Sequence, residues 1–250
     1  MHSHQDSSWA PIVIVGAVVL TIIGFVLVPN LFVHSHHGST ERNSSTSLKT
    51  LSSAEADFRA NDRDWNHVND FWTANVSGLY TMTSAAVRGA ETNSTTDPSI
   101  KLIELSVASA DADDTFVPAG GENVPLTAFA VYSAKAGYWF AALRSDFSVG
   151  TGPDAQYMQN TDNHDPRFTD YPRMGRVHHT TRFGFVAFPD SVSSGKYVFM
   201  VNENNTIFRS AAPAPVKSGT ATPPGLNGIS ARYLNWPDDA VLKSYWNKLD

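Results

Sequence analysis

From Ala10 to Val28 the chain reads APIVIVGAVVLTIIGFVLV, nineteen consecutive uncharged and mostly apolar residues closed by Pro29 and Asn30. At a helical rise of ~1.5 Å per residue this run spans close to ~30 Å, the thickness of a bilayer's hydrocarbon core. It is long enough to cross a membrane. A cleaved secretory signal would begin with a basic stretch, but the residues before the run contain no Lys or Arg. No small-residue exit of the A-x-A kind follows either, since the run ends in Pro-Asn-Leu-Phe-Val and a histidine cluster. The pattern predicts a retained anchor, with residues 10–28 partnered by the lipid bilayer.

Without the anchor and its flank about 200 residues remain, which suits one sizeable domain better than two. The formal net charge is -6, and no Lys/Arg-rich stretch occurs. Nucleic-acid binding by counterion release therefore lacks its donors. The absence of cysteine excludes disulfides, thiolate metal sites and cysteine nucleophiles. Orientation is weakly encoded, because the near flanks offer only Arg42 and Lys49, both on the C-terminal side, and charge alone would keep that side inside.

Beyond the anchor, Val33 to Ser47 is polar and holds Gly38 and five serines, which reads as a stalk formed by a frayed helix or a linker. Periodicity then returns. Leu48, Leu51, Ala54 and Phe58 recur every three or four residues, a helical stripe opposite Lys49, Ser53 and Asp57 that needs a partner surface. Gly137 to Leu143, Arg182 to Phe188 and Lys196 to Val201 are short, aromatic and β-branched, so they are read as strands. Asn202 to Thr206 supplies a turn into Ile207-Phe208-Arg209, making the last two strands a hairpin. Residues 82–99 and 151–174 read as loops, and 100–110 stays ambiguous between helix and strand. Residues 213–228 are a Pro/Gly-rich extended linker. From Pro237 and Asp238 a short helix is predicted, with Val241, Leu242, Tyr245, Trp246 and Leu249 on its docking face.

This order, an apolar helix with a Pro-Asn break, an amphipathic continuation and then aromatic antiparallel strands, resembles type IV pilins and the pseudopilins of type II secretion. Val28-Pro29-Asn30-Leu31-Phe32 is similar to the break in their N-terminal helix, and residues 47–58 to that helix where it meets the globular domain. The match covers roughly residues 10–60. The resemblance implies a single-pass protein of the bacterial inner membrane, with a short cytoplasmic N-terminus and the large domain outside. Two family signals are missing. Counting back from Pro29, the cleavage glycine falls on Ser7 and the helix glutamate on Ile12. Without that buried carboxylate the charge contact that sets register between subunits cannot form, so the chain is expected to stay uncleaved and not to build a long fibre by the usual contact.

The sharpest local signal is Asp62-Arg-Asp64-Trp-Asn66-His-Val68-Asn-Asp70. Asp62, Asp64, Asn66 and Asp70 sit at positions 1, 3, 5 and 9 of a calcium-loop pattern, with the Val68 carbonyl at position 7. Alternating short oxygen donors in a tight turn can converge on one calcium ion. His67 replaces the glycine of position 6 and Thr73 the bidentate glutamate of position 12, so affinity would be weak. The alternative reading is an acidic turn with Trp65, Phe71 and Trp72 packed beneath it. His34, His36 and His37, with His2 and His4, read as interfacial polar sequence rather than a metal site, and His178-His179 as no more than that.

For catalysis the chain offers no G-x-S-x-G, no H-E-x-x-H and no glycine-rich phosphate loop. Asp111, Asp113 and Asp114, or Asp162, His164 and Asp165, are read as turn chemistry. The aromatic set Tyr138, Trp139, Phe140, Phe183, Phe185, Phe188, Tyr197, Phe199 and Phe208 is read as core rather than as a ligand platform.

The expected fold is α+β: a long N-terminal helix, transmembrane in its first half, packed on a four-stranded antiparallel sheet, with a short C-terminal helix, pilin-like overall. The expected organisation is a tail (1–9), a transmembrane helix (10–30), a polar stalk (31–47), a globular domain (48–212), the linker (213–228) and a docking segment (229–250). The expected function is non-enzymatic, a structural or interaction protein meeting envelope or secretion-system partners. The alternative is a membrane-tethered binding module for calcium or an envelope glycan.

Overall fold

The computed structural model describes residues 10–63, 69–73, 75–81, 101–113, 126–143, 178–179, 182–212, 225–226, 229–237 and 239–249; within 10–36 it describes backbone, plus the side chains of Val15 and Thr21. The two predicted loops, the linker 213–224 and the tail 1–9 lie outside the described residues.

The chain begins with one uninterrupted helix, α1, Ala10–Asn61. Its 52 residues give a rod of about 78 Å. The expected Pro-Asn break does not interrupt it. Proline deletes a single intrahelical donor, and regular turns on either side carry the helix past Pro29. The serine-rich stretch expected to be a frayed helix or a linker belongs to the same rod. Its hydroxyls fold back on the helix, Thr40 donating to the His37 carbonyl (3.0 Å) and Ser45 to the Arg42 carbonyl (3.0 Å), and Thr50 and Ser53 just beyond it do the same to Thr46 (3.2 Å) and Lys49 (3.1 Å). Tertiary ties hold it as well. The Thr40 hydroxyl donates to the Ser194 carbonyl, and Glu41 Oε1 accepts from the Lys196 N–H at 3.0 Å. Among the described residues no helix is long and apolar enough to cross a membrane.

Five antiparallel strands form the main sheet, β2 (Tyr138–Ala142), β4 (Gly184–Pro189), β5 (Tyr197–Asn202), β6 (Ile207–Ala211) and β7 (Asn247–Lys248), paired in that order. β1 (Phe71–Trp72) and β3 (His178–His179) form a separate antiparallel pair, Trp72 opposite His178. Residues 110–112 cover the outer edge of β2, through Phe140 N–H to the Ala110 carbonyl (2.8 Å) and Ala112 N–H to the Phe140 carbonyl (2.7 Å). The ambiguous stretch 100–110 resolves as a one-turn helix, α3 (Leu105–Ala108), preceded in the chain by another, α2 (Gly78–Thr81).

Side chains alternate across a strand, so one sheet must satisfy two covers. Tyr138, Phe140, Ala142, Phe185, Ala187, Phe199, Val201 and Ile207 share a core with Leu48, Leu51, Ala54 and Phe58 of α1, the four residues of the predicted stripe, all buried. The other face, with Trp139, Ala141, Val186, Phe188, Val198 and Met200, packs under Tyr233, Trp236 and Trp246 of the C-terminal segment. The result is helix, sheet and C-terminal cover in three layers. Of the nine aromatics read as core, seven are buried, and Tyr197 and Phe208 are half-buried.

The β5–β6 hairpin forms where its asparagines predict. Asn205 occupies the left-handed region (φ +56°), its N–H donates to the Asn202 carbonyl (2.8 Å), and Asn202 Oδ1 accepts from the Thr206 N–H (3.2 Å). Lys49 of α1 caps this turn through the Asn205 carbonyl at 2.6 Å.

The fifth strand is the main departure from the expected four. After α4 (Ala231–Leu234), the C-terminal helix α5 (Asp239–Tyr245) stops before Trp246 instead of continuing to Leu249. Two turns of helix are marginal by themselves, and tertiary burial decides the path. Trp246 leaves the helix to pack edge-on against Tyr233, ring centroids 5.8 Å apart. The chain then pairs with β6, Leu249 N–H donating to the Ile207 carbonyl at 2.9 Å, while Tyr245 and Leu249 remain exposed.

Candidate functional site

The region around the candidate calcium loop begins at the end of α1. Arg63 N–H donates back to the Phe58 carbonyl (3.2 Å) across Asp62, which sits in the left-handed region at φ +45°. This is a Schellman-type stop, with aspartate where glycine is commonest. Asp57 buttresses it by a two-point ion pair with Arg63 (2.8 and 2.9 Å) and by accepting from Asn61 Nδ2 at 2.7 Å. The paired Asp57 raises the Arg63 pKa.

Of the five proposed calcium ligands, Asp62 and Asp70 are described; Asp64, Asn66 and Val68 lie outside the described residues. Asp62 is half-buried at the helix stop, and Asp70 is buried, 4% exposed, immediately before β1. Among the described residues no three metal-ligating side chains converge.

The group that sequence reasoning passed over is Glu55. It follows Leu51 by four residues and precedes Phe58 by three, so it shares the buried face of α1, and its exposure is 0%. Oε2 accepts the Trp72 N–H at 2.9 Å, whereas Oε1 has no hydrogen-bond partner among the described residues. Burial drives the Glu55 pKa well above the ordinary carboxylate value; the Trp72 N–H partly opposes this, and the nearby charge of Asp70 adds to it. A glutamate falling in phase with an apolar stripe was the signal available in the sequence.

The segment that follows Trp72 is held by further hydrogen bonds. Trp72 Nε1 donates to the Asn75 carbonyl (3.0 Å), Gly78 N–H to Asn75 Oδ1 (2.8 Å), and Ser77 N–H to Asp111 Oδ2 (2.7 Å). Asp111 Oδ1 also accepts the Asp113 N–H at 3.1 Å, the turn chemistry expected of that acidic cluster. A Cβ on Gly78 would lie 2.3 Å from Trp72 Cζ2, so the indole fills the space against the backbone. Asp114, Asp162, His164 and Asp165 lie outside the described residues.

Of the histidines after the apolar run, only His37 has a described side chain. It is buried on α1, and neither ring nitrogen has a partner among the described residues. Ser44, two turns on, is buried with its hydroxyl likewise unpartnered among them. The inward stripe of α1 is thus polar at His37, Ser44 and Ser47 and apolar from Leu48 to Phe58, apart from Ser52 and Glu55.

No family model, no curated protein and no solved structure matches the chain.

Proposed function

We propose that this chain is a non-enzymatic, membrane-anchored structural or interaction protein of the bacterial envelope, resembling a pseudopilin and presenting its domain outside the inner membrane to envelope or secretion-system partners. The observation that carries this reading is the continuity of α1. One helix runs from the nineteen-residue apolar stretch through the polar segment and into the groove of an aromatic antiparallel sheet. A rod of this kind transmits position, because a helix held at one end in lipid and at the other in a packed core fixes the height and direction of the domain. From Val28 to Thr40, its first tie to the sheet's loops among the described residues, the rise is about 18 Å. Both sheet faces are spent on core, which favours an architectural role over a ligand platform on the sheet. The test is alkaline extraction of native membranes. The full-length chain is expected in the pellet with an unprocessed N-terminus by mass spectrometry; complete recovery in the supernatant overturns the anchor, and a processed, methylated terminus overturns the uncleaved reading.

A second reading, a tethered calcium-binding module, is favoured by one feature: a buried Glu55 carboxylate oxygen without a donor among the described residues, within the electrostatic reach of the buried Asp70 at position 9 of the calcium-loop pattern. Calcium-dependent thermal stabilisation would support it, and its absence would remove it.

A further inference from the structure

We propose that Tyr80 and Phe129 form an aromatic cage that receives a lysine ammonium from a partner protein, and that the chain's own Lys101 is its resident occupant, displaced when the partner docks. The inference uses only the domain and stands or falls apart from the membrane anchor.

Two short elements build the cage. Tyr80 sits in α2, where its N–H donates to the Ser77 carbonyl (3.0 Å) and the neighbouring Leu79 roots the turn in the core with no exposed surface. Phe129 follows a 3-10 turn, Leu126–Ala128, closed by the Phe129 N–H to the Leu126 carbonyl (2.8 Å) and rooted by the buried Leu126. The two rings meet edge to face, centroids 5.7 Å apart and planes at 81°. Lys101 is brought alongside them because the next residue, Leu102, donates its N–H to the Leu79 carbonyl at 3.0 Å. The Lys101 ammonium lies 3.8 Å from the Tyr80 centroid and 4.4 Å from the Phe129 centroid.

An aromatic face carries negative charge density, and a cation within about 6 Å of the ring centroid is drawn to it. Here one ammonium satisfies two rings at once, so the structure itself displays the chemistry that the corner accepts: a compact, primary alkylammonium on a flexible stem. The corner is also reachable. Phe129 is 41% exposed, Tyr80 is half-buried, and Lys101 is an exposed residue. Exchange is cheap as well, because a cation–π contact at an exposed site is worth only about a twofold to fivefold bias in occupancy per ring. An incoming lysine of the same chemistry therefore competes with Lys101 ring for ring. The cage has a place suited to a partner, for α2 packs against Trp72, whose backbone N–H is held by Glu55 in the last two turns of α1. It thus lies where the rod ends, away from the apolar run.

The experiment is a ligand-observed NMR titration of the full-length chain in a maltoside detergent. The probe is Nα-acetyl-lysine methylamide, with Nα-acetyl-norleucine methylamide as its uncharged counterpart and choline as a quaternary cation. Lys101→Ala vacates the cage, and it is expected to bind the lysine probe saturably and at least about threefold more tightly than wild type does. Adding Phe129→Leu or Tyr80→Leu to that variant keeps apolar bulk and removes a ring, and each is expected to weaken the probe at least about twofold. Phe129 is the more exposed of the two, so its variant keeps the test open if Tyr80→Leu fails to fold. Equal affinity of wild type and Lys101→Ala overturns the resident role of Lys101. Norleucine probe bound as tightly as lysine probe overturns the cation cage, and choline bound without the lysine probe overturns the lysine assignment. A Lys101→Ala variant that binds no lysine probe, or that keeps its affinity after loss of either ring, overturns the proposal as a whole.

Discussion

The inward face of α1 sets up an opposed pair of substitutions seven residues apart. Leu51 has no exposed surface and packs between the helix and the aromatic face of the sheet. Truncating such a leucine to alanine removes its burial and leaves a cavity, a loss of about 2–5 kcal/mol. For a domain of this size each kcal/mol is worth about 2–4 °C, so a mid-range loss of about 3 kcal/mol lowers the melting temperature by about 6–12 °C. Ser44 is equally hidden, but its hydroxyl has no partner among the described residues. Ser44→Ala removes a desolvated, unbonded oxygen and raises helix propensity, together a gain of about 1 kcal/mol. The two sites lie about 10 Å apart along the rod, so the double variant should give close to the sum, a net loss of about 2 kcal/mol. Denaturant unfolding of the full-length chain in mild detergent, followed by tryptophan fluorescence, measures all three. A loss below about 1 kcal/mol for Leu51→Ala would refute the seating of the helix on the sheet, and destabilisation by Ser44→Ala would refute the unpartnered hydroxyl.

Other consequences follow from the same geometry. Glu55 has a folded-state pKa raised above its ordinary 4.5, so it holds its proton more tightly folded than unfolded; its contribution is fully present below that ordinary value and is lost as pH climbs through the raised one. In chelator, stability should therefore fall as pH rises from about 4.5, and Glu55→Gln should flatten that part of the profile; an unchanged slope would clear Glu55 of the effect. Gly78→Ala sets a methyl 2.3 Å from the Trp72 indole and 2.5 Å from Asn75 Oδ1, predicting a loss of about 1–3 kcal/mol together with a shifted tryptophan emission. Asp62→Gly relieves a left-handed aspartate at the helix stop and should raise the denaturant midpoint by under about 1 kcal/mol in stability; a fall would show that the Asp62 carboxylate holds structure beyond the cap.

Sequence periodicity alone located the helix stripe Leu48, Leu51, Ala54 and Phe58, the aromatic strands and the asparagine turn at 202–206, because each is fixed by contacts within a few residues: a 3.6-residue repeat, a 2-residue repeat and left-handed turn chemistry. It also singled out Asp62 and Asp70, since spacing is a local property, but whether they share a ligand is not a matter of spacing. Tertiary structure decided the rest. Whether the serine-rich stretch 33–47 frays or stays helical depends on the ties it makes outside itself, here Thr40 to Ser194 and Glu41 to Lys196. Whether Trp246 completes a helix or starts a fifth strand depends on Tyr233 and the open edge of β6, and no local pattern encodes either. Glu55 is the clearest instance. Its place on the buried face is legible in the sequence, but the meeting with Trp72 and Asp70 exists only once β1 folds back across the helix, and that meeting sets the electrostatics of the candidate site.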